Sequence, residues 1–104
     1  MTGMAVQEGE QDGAQRLPLM SAGRVVAFVE YYRFGRVVIV THTEVAPAFE
    51  GRGRGSEMAR QALAHFRSRD WQVVPVCGFF AEQIRRQPAY LDLITPECRR
   101  IFGL

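Results

Sequence analysis

Residues 50–56, which read Glu-Gly-Arg-Gly-Arg-Gly-Ser, constrain this chain more than any other segment. Three glycines stand at alternate positions and are interleaved with Arg52 and Arg54. Apolar β-branched residues precede the segment and a helical pattern follows it, so it joins a strand to a helix. Closely spaced glycines let a backbone approach a ligand, and the first amides of a helix favour an anion. The segment is therefore predicted to hold a phosphate, although glycine spacing alone more commonly marks a flexible loop with solvated arginines.

The residues before this turn predict strands. Residues 25–33 and 36–45 are β-branched and aromatic runs on either side of Gly35, the pattern of an antiparallel hairpin. The second run contains Val-Val-Ile-Val, which is apolar on both faces and belongs inside a sheet rather than at its edge. Residues 15–20 are predicted to form a short edge strand, because an edge tolerates Pro18 better than a central position does.

The residues after the turn predict a helix, a strand and a second helix. Residues 53–69 have apolar side chains at helical spacing, namely Ala59, Ala62, Leu63 and Phe66. Residues 71–77 contain Val-Val-Pro-Val, a short buried strand. A strand that follows its predecessor through one helix is expected to pair with it in parallel. A second helix is predicted over residues 79–86, which gives a small α/β domain.

Length, charge and cysteine content restrict the class of protein. A chain of 104 residues forms one domain, predicted over residues 15–104 after a flexible, Gly-rich tail over residues 1–14. There is neither an apolar run of about 20 residues nor a signal-peptide pattern, so we expect a cytoplasmic protein. The net charge of +2 is too small to indicate nucleic-acid binding. Cys77 and Cys98 lack ligand spacing, so no metal site is expected. A disulfide is not expected in a reducing compartment.

Four segments, in order, resemble the GNAT superfamily of N-acetyltransferases, and in particular a small branch of about 100 residues. The first two are the His-Thr-Glu-Val-x-Pro-x-x-Glu-Gly-x-Gly-x-Gly pattern and the amphipathic helix after it. The others are Val-Val-Pro-x-Cys and Ile-Arg-Arg-x-Pro-x-Tyr-x-x-Leu, so that the resemblance covers residues 25–94. The chain departs from the usual patterns at Glu50, Gly78 and Gln87, where Gln or Arg, Pro and His are common.

The resemblance implies a small GNAT-like mixed sheet in a two-layer or three-layer sandwich with two helices. Its first strands are antiparallel, and its last two are a parallel pair that splays apart to admit acetyl-CoA. It implies that the backbone of Val45 meets the pantetheine arm. The pyrophosphate of coenzyme A would be held by the turn and the start of the helix, that is by Gly51, Arg52, Gly53, Arg54, Gly55 and Ser56.

Acetyl transfer to an amine needs a group that accepts the amine proton and a proton route to the leaving thiolate. His42 and Glu44 lie two apart on a strand and share a face, so either is a candidate base. Cys77 ends the other strand of the predicted pair and is a candidate proton donor or acetyl carrier. Structural roles stay open for all three: a buried histidine, a carboxylate paired with arginine and a small apolar cysteine. Tyr90 is assigned to packing, and His65 to the solvated side of its helix.

These observations predict an acetyl-CoA-dependent N-acetyltransferase whose acceptor is a small amine or a protein or peptide amine. The alternatives are a CoA-binding or acyl-CoA-binding protein of the same fold with little turnover, and an RNA-binding module that uses Arg-Gly-Arg-Gly. We expect neither a nucleic-acid nor a membrane partner, and a monomer or weak homodimer. Arg85 and Arg86 are expected to be solvated, with contact to the 3′-phosphate of CoA as the alternative.

Overall fold

A computed structural model of the chain describes residues 2–4 and 13–104. In this part of the chain one mixed sheet has the strand order β1-β2-β3-β4-β5, in which only β4 and β5 are parallel. The strands are β1 (Thr2–Met4), β2 (Ala14–Ser21), β3 (Arg24–Phe34), β4 (Val37–Val45) and β5 (Gln72–Pro75). The helices are α1 (Arg54–Ser68), α2 (Gly78–Arg86) and α3 (Pro96–Phe102), with 3-10 turns at Pro47–Phe49 and Pro88–Leu93. The predicted α/β class and the parallel last pair are confirmed.

The hairpin between β3 and β4 forms where the sequence predicts it. Phe34 pairs with Val37, which leaves a two-residue turn made by Gly35 and Arg36. Gly35 has a φ of +61°, a backbone conformation that glycine adopts without steric cost. β4 therefore lies between β3 and β5, inside the sheet, as its apolar sequence indicates.

A β-bulge in β4 decides which way the residues near its end project. Tyr31 pairs with Val40 and Glu30 pairs with His42, so Thr41 is an extra residue with no partner opposite. Side chains of paired residues share a face of a sheet. Past the bulge, Thr43 is opposite the buried Val29 and faces the core.

His42 and Glu44 project from the other face. Their cross-strand partners are Glu30 and Phe28, both of which are only partly buried. In a strand with unbroken alternation, His42 and Glu44 would share the face of the buried Val40. The bulge therefore turns these two polar side chains away from the core.

The helices α1 and α2 cover the face of the sheet that carries Val29 and Tyr31. α1 buries five side chains, Met58, Ala59, Ala62, Leu63 and Phe66. The ring of Phe66 packs edge-on against that of Tyr31, with centroids 5.2 Å apart. From α2, Phe80 and Ile84 enter the same buried cluster. The helices and the sheet thus form two layers.

Three features differ from the sequence predictions. β2 is not an edge strand, because Thr2–Met4 pair with residues 19–21 on its outer side, where a flexible tail over residues 1–14 was expected. Pro18 precedes that pairing, so its missing N–H removes no β1–β2 hydrogen bond. The rest of the predicted tail, residue 1 and residues 5–12, lies outside the described residues. α3 adds a third helix to the two predicted, and Thr95 caps it by accepting a hydrogen bond from the amide of Cys98.

Within the described residues, no helix combines the length and the apolarity that a membrane span requires.

Candidate functional site

β4 and β5 separate halfway along β4 and leave an opening between them. Their parallel pairing ends at Val40 and Pro75, and the amide of Cys77 makes one further bond to the carbonyl of Val40, at 3.0 Å. β4 then continues for five residues, to Val45, whereas the segment after β5 turns into α2. The edge of β4 from Thr41 to Val45 therefore has no parallel partner among the described strands, and its free backbone groups can bind an extended ligand.

The turn after β4 ends in a helix N-terminus with free amides. Gly51 and Gly53 have φ values of +77° and +74°, and a Cβ on either would stand in open space. Gly53 precedes the first residue of α1 and provides no side-chain cap. The first backbone bond of the helix runs from the amide of Glu57 to the carbonyl of Gly53, at 3.1 Å. Among the described residues, nothing accepts from the amides of residues 54–56, so these amides are free to donate hydrogen bonds to an anion.

The opening and the turn border one cavity of about 450 Å³. Its walls are Thr43, Glu44, Val45, Phe49, Glu50, Gly51, Gly53, Arg54, Gly55, Ser56, Phe79 and Gln83. All the predicted cofactor-binding residues are in this wall except Arg52. Of the predicted catalytic residues only Glu44 is in it; His42 and Cys77 are not.

The two arginines of the turn differ in their surroundings. Arg54 is paired with Glu57, with 3.1 Å between Nη1 and Oε1, and its guanidinium lies 5.9 Å from the ring centroid of Phe49. Arg52 is exposed and has no ion-pair partner in the described part of the chain. Arg52 is thus the freer positive charge, whereas Arg54 helps to hold the turn.

His42 and Glu44 form a pair on the face of β4 away from the helices. The His42 Nε2 and Glu44 Oε1 atoms are 3.2 Å apart, and the side chains are 53% and 58% exposed. The ring of Phe28 lies beside the imidazole, with centroids 6.0 Å apart. Glu44 is placed to orient the imidazole, and both side chains can reach a ligand that enters from this face.

Cys77 lies on the opposite side of the opening. Its Sγ is 3.5 Å from Oγ1 of Thr43, which faces the helices, and its carbonyl accepts the amide of Ala81 in the first turn of α2. The structure thus brings His42 and Glu44 together, and Cys77 and Thr43 together, on two sides of the same gap. It does not join the three predicted catalytic residues into one cluster.

The other two candidates are away from the cavity. Tyr90 packs against the core, as the packing assignment predicts. The guanidinium carbon of Arg67 lies over the Tyr90 ring, 4.6 Å from the ring centroid. His65 is not solvated as predicted. Its ring is next to Trp71, its Nε2 is buried without a partner in the described chain, and its Nδ1 is 3.3 Å from Arg69. Burial, and then the charge of Arg69, lowers the pKa of His65 from its ordinary value.

A comparison with protein-family models gives a match to the GCN5-related N-acetyl-transferase family over residues 17–93. The chain belongs to this family. No curated protein sequence matches the chain.

Several solved structures share the fold of this family member over most of its length. A GCN5-like protein from Staphylococcus aureus matches with a TM-score of 0.61 and 19% identity over 91% of each chain. The ribosomal-protein-alanine N-acetyltransferase from Brucella melitensis biovar Abortus 2308 matches with a TM-score of 0.59 and 19% identity over 75% of this chain. A GNAT family acetyltransferase from Elizabethkingia anophelis with acetyl-CoA bound matches with a TM-score of 0.54 and 11% identity over 62% of this chain. This chain spans only 65% of the Brucella protein and 43% of the Elizabethkingia protein.

Sequence reasoning missed five residues of this family member's cavity wall: Thr43, Phe49, Glu50, Phe79 and Gln83. Phe79 and Gln83 come from α2 and lie one helical turn apart, so their shared face is visible in the sequence, but its contact with the turn is not. Phe79 lies over Gly55, where an added Cβ would be 2.5 Å from the ring. Gln83 is 5% exposed, and its Oε1 accepts a hydrogen bond from Oγ of Ser56 at 2.8 Å. Gln83 is thus a buried polar residue in the cavity wall that is hydrogen-bonded to the first turn of α1.

Proposed function

We propose that this protein is an acetyl-CoA-dependent N-acetyltransferase that transfers an acetyl group to an amine. One observation carries the proposal: the unpaired edge of β4 leads directly into a helix N-terminus whose first amides are free. The edge suits the amides of a pantetheine arm, and the helix end suits a diphosphate. Family membership supports the same assignment.

The backbone and the turn hold the acyl donor in this proposal. The exposed edge from Thr41 to Val45 pairs with the amide groups of the pantetheine arm. The amides of residues 54–56, at the positive end of α1, hold the two phosphates, and Arg52 adds a charge. Gly51 and Gly53 keep the space in front of these amides empty.

The amine approaches from the face that carries His42 and Glu44. Its nitrogen attacks the thioester carbonyl carbon, a C–N bond forms, and the C–S bond breaks to release the CoA thiolate. His42, oriented by Glu44, accepts the proton that the amine loses. Cys77, held by Thr43 on the other side of the gap, donates a proton to the CoA thiolate. The Cys77 thiolate that remains then takes up a proton from solvent.

The acceptor is a small amine or an amine of a protein or peptide. We place the enzyme in the cytoplasm, where the two free thiols of Cys77 and Cys98 would stay reduced. We assign it as a monomer or weak homodimer.

A CoA-binding or acyl-CoA-binding protein with little turnover is the second candidate. It is favoured by the exposure of His42 and Glu44, since more than half of each side chain is open to solvent. A proton acceptor that stays in water gives up much of the electrostatic advantage of an enclosed active site.

Transfer of labelled acetyl from acetyl-CoA to a panel of amines and peptides tests the enzyme, and calorimetric titration with CoA tests the site. Gly53→Val puts a side chain in front of the free amides and is expected to abolish CoA binding. Gly23→Val is the matched control, because Gly23 has a similar φ of +77°, open space around it and a position in the β2–β3 turn. Undiminished CoA affinity in Gly53→Val would overturn the assignment of the turn. Tight CoA binding by the wild type with no transfer to any acceptor would favour the second candidate.

A further inference from the structure

A second cavity, of about 380 Å³, lies beside the first, between the start of α1 and the end of α2. Its walls are Gly53, Ser56, Glu57, Arg60, Gln83, Arg86 and Gln87. Gly53, Ser56 and Gln83 border both cavities. A ligand whose diphosphate lies on the first amides of α1 can therefore extend directly into the second cavity. The residues on the far side of that cavity have no role in the proposed reaction.

The far side of this cavity has an excess of positive charge. Arg60 is exposed on α1 and has no ion-pair partner in the described part of the chain. Arg86 shares one carboxylate, that of Glu82, with the neighbouring Arg85. The only acidic residue in the cavity wall, Glu57, is paired with Arg54. Two guanidinium groups thus border a space that contains no free carboxylate.

Gln83 adds a hydrogen-bond donor between the two cavities. The side chain is 5% exposed, and its carbonyl is taken by the hydroxyl of Ser56. Its amide nitrogen has no acceptor among the described residues and is accessible to solvent. It can therefore donate a hydrogen bond to an acceptor on a ligand that occupies the two cavities. An anionic oxygen is the acceptor that the neighbouring arginines favour.

We propose that the second cavity binds the 3′-phosphate of the CoA ribose, so that the protein selects CoA over 3′-dephospho-CoA. This inference rests on the proposed function, which places the diphosphate at the start of α1. The ribose follows the diphosphate in CoA, and its 3′-phosphate is a terminal group with two negative charges near neutral pH. Arg60 and Arg86 pair with that charge from the two helices, and the Gln83 amide donates at the boundary between the cavities.

The test compares the affinities of the two ligands by calorimetric titration. The wild type is expected to bind CoA at least about tenfold more tightly than 3′-dephospho-CoA, the effect of one charge-assisted hydrogen bond. Arg60→Gln and Arg86→Gln should each bring this ratio towards one by weakening CoA alone. Arg100→Gln is the matched control, because Arg100 is an exposed arginine of α3 outside both cavities. It removes the same charge and should keep the wild-type ratio.

Each outcome decides between the two proposals. Equal wild-type affinity for the two ligands would overturn the 3′-phosphate site and leave the proposed function standing. Equal weakening of both ligands in Arg60→Gln and Arg86→Gln would also overturn it, since the arginines would then act on the shared diphosphate. Failure of the wild type to bind either ligand would overturn the proposed function itself. A thermal melt of each variant shows that it is folded before the titration.

Discussion

Replacing Gly55 by alanine is not expected to stabilise the protein, although the residue is in a helix. An added Cβ would lie 2.5 Å from Cζ of Phe79. Carbon atoms in good contact are about 3.5–4.0 Å apart, so the ring or the first turn of α1 must move by about 1 Å. Overpacking of a closed core costs about 1–3 kcal/mol. The ring of Phe79 is 44% exposed and can turn towards solvent, so the cost here is expected at the low end, about 1 kcal/mol. Alanine is favoured over glycine in a helix by about 0.5–1 kcal/mol, which leaves a net loss of only about 0–0.5 kcal/mol in the free energy of unfolding.

The substitution should become stabilising when Phe79 is removed. In the Phe79→Ala background there is no ring to meet, so Gly55→Ala is expected to stabilise by about 0.5–1 kcal/mol. Urea unfolding of the wild type, both single variants and the double variant gives the coupling energy. In thermal melts of a domain of this size, each kcal/mol corresponds to about 4–8 °C. Stabilisation by Gly55→Ala in both backgrounds would refute the reasoning, because the ring would then move at no cost; equal destabilisation in both would place the strain elsewhere.

Two further predictions concern pH and transfer. Lowering the pH from about 7.5 to about 5.5 is expected to destabilise the fold, because burial and Arg69 lower the pKa of His65 and the unfolded chain therefore takes up the proton more readily than the folded chain. The His65→Gln variant should lose less stability than the wild type over that pH interval. If the urea midpoints of the variant and the wild type fell by the same amount, His65 would not be the group responsible. Cys77→Ala is expected to slow acetyl transfer by about 10²–10⁴-fold, the usual contribution of a positioned proton donor, while the Kd for CoA stays unchanged. An unchanged transfer rate would assign Cys77 to packing alone.

The parts of the fold that the sequence predicts are those that depend on local pattern. The hairpin at Gly35, the amphipathic α1 and the glycine turn each follow from spacing and residue type within a few positions. The parallel pairing of β5 follows from its connection through a single helix. These elements place the cavity wall, which includes nearly all the predicted cofactor-binding residues.

The remaining features depend on tertiary contacts that no local pattern contains. The bulge at Thr41 is set by the register between β3 and β4, and it turns His42 and Glu44 away from Cys77. Gln83 has an ordinary polar position in the sequence of α2, and only the packing of α2 against Ser56 buries it. β2 is interior because residues from the start of the chain pair with it.

NMR titration of the 15N-labelled protein with CoA tests most directly whether the start of α1 holds the diphosphate of CoA. At 11.8 kDa the chain is small enough for its amide signals to be followed one by one. We expect saturable shifts that are largest at the backbone amides of residues 54–56, with smaller shifts along β4 from Thr41 to Val45. CoA binding that leaves these amides unchanged, or no binding at all, would contradict the account.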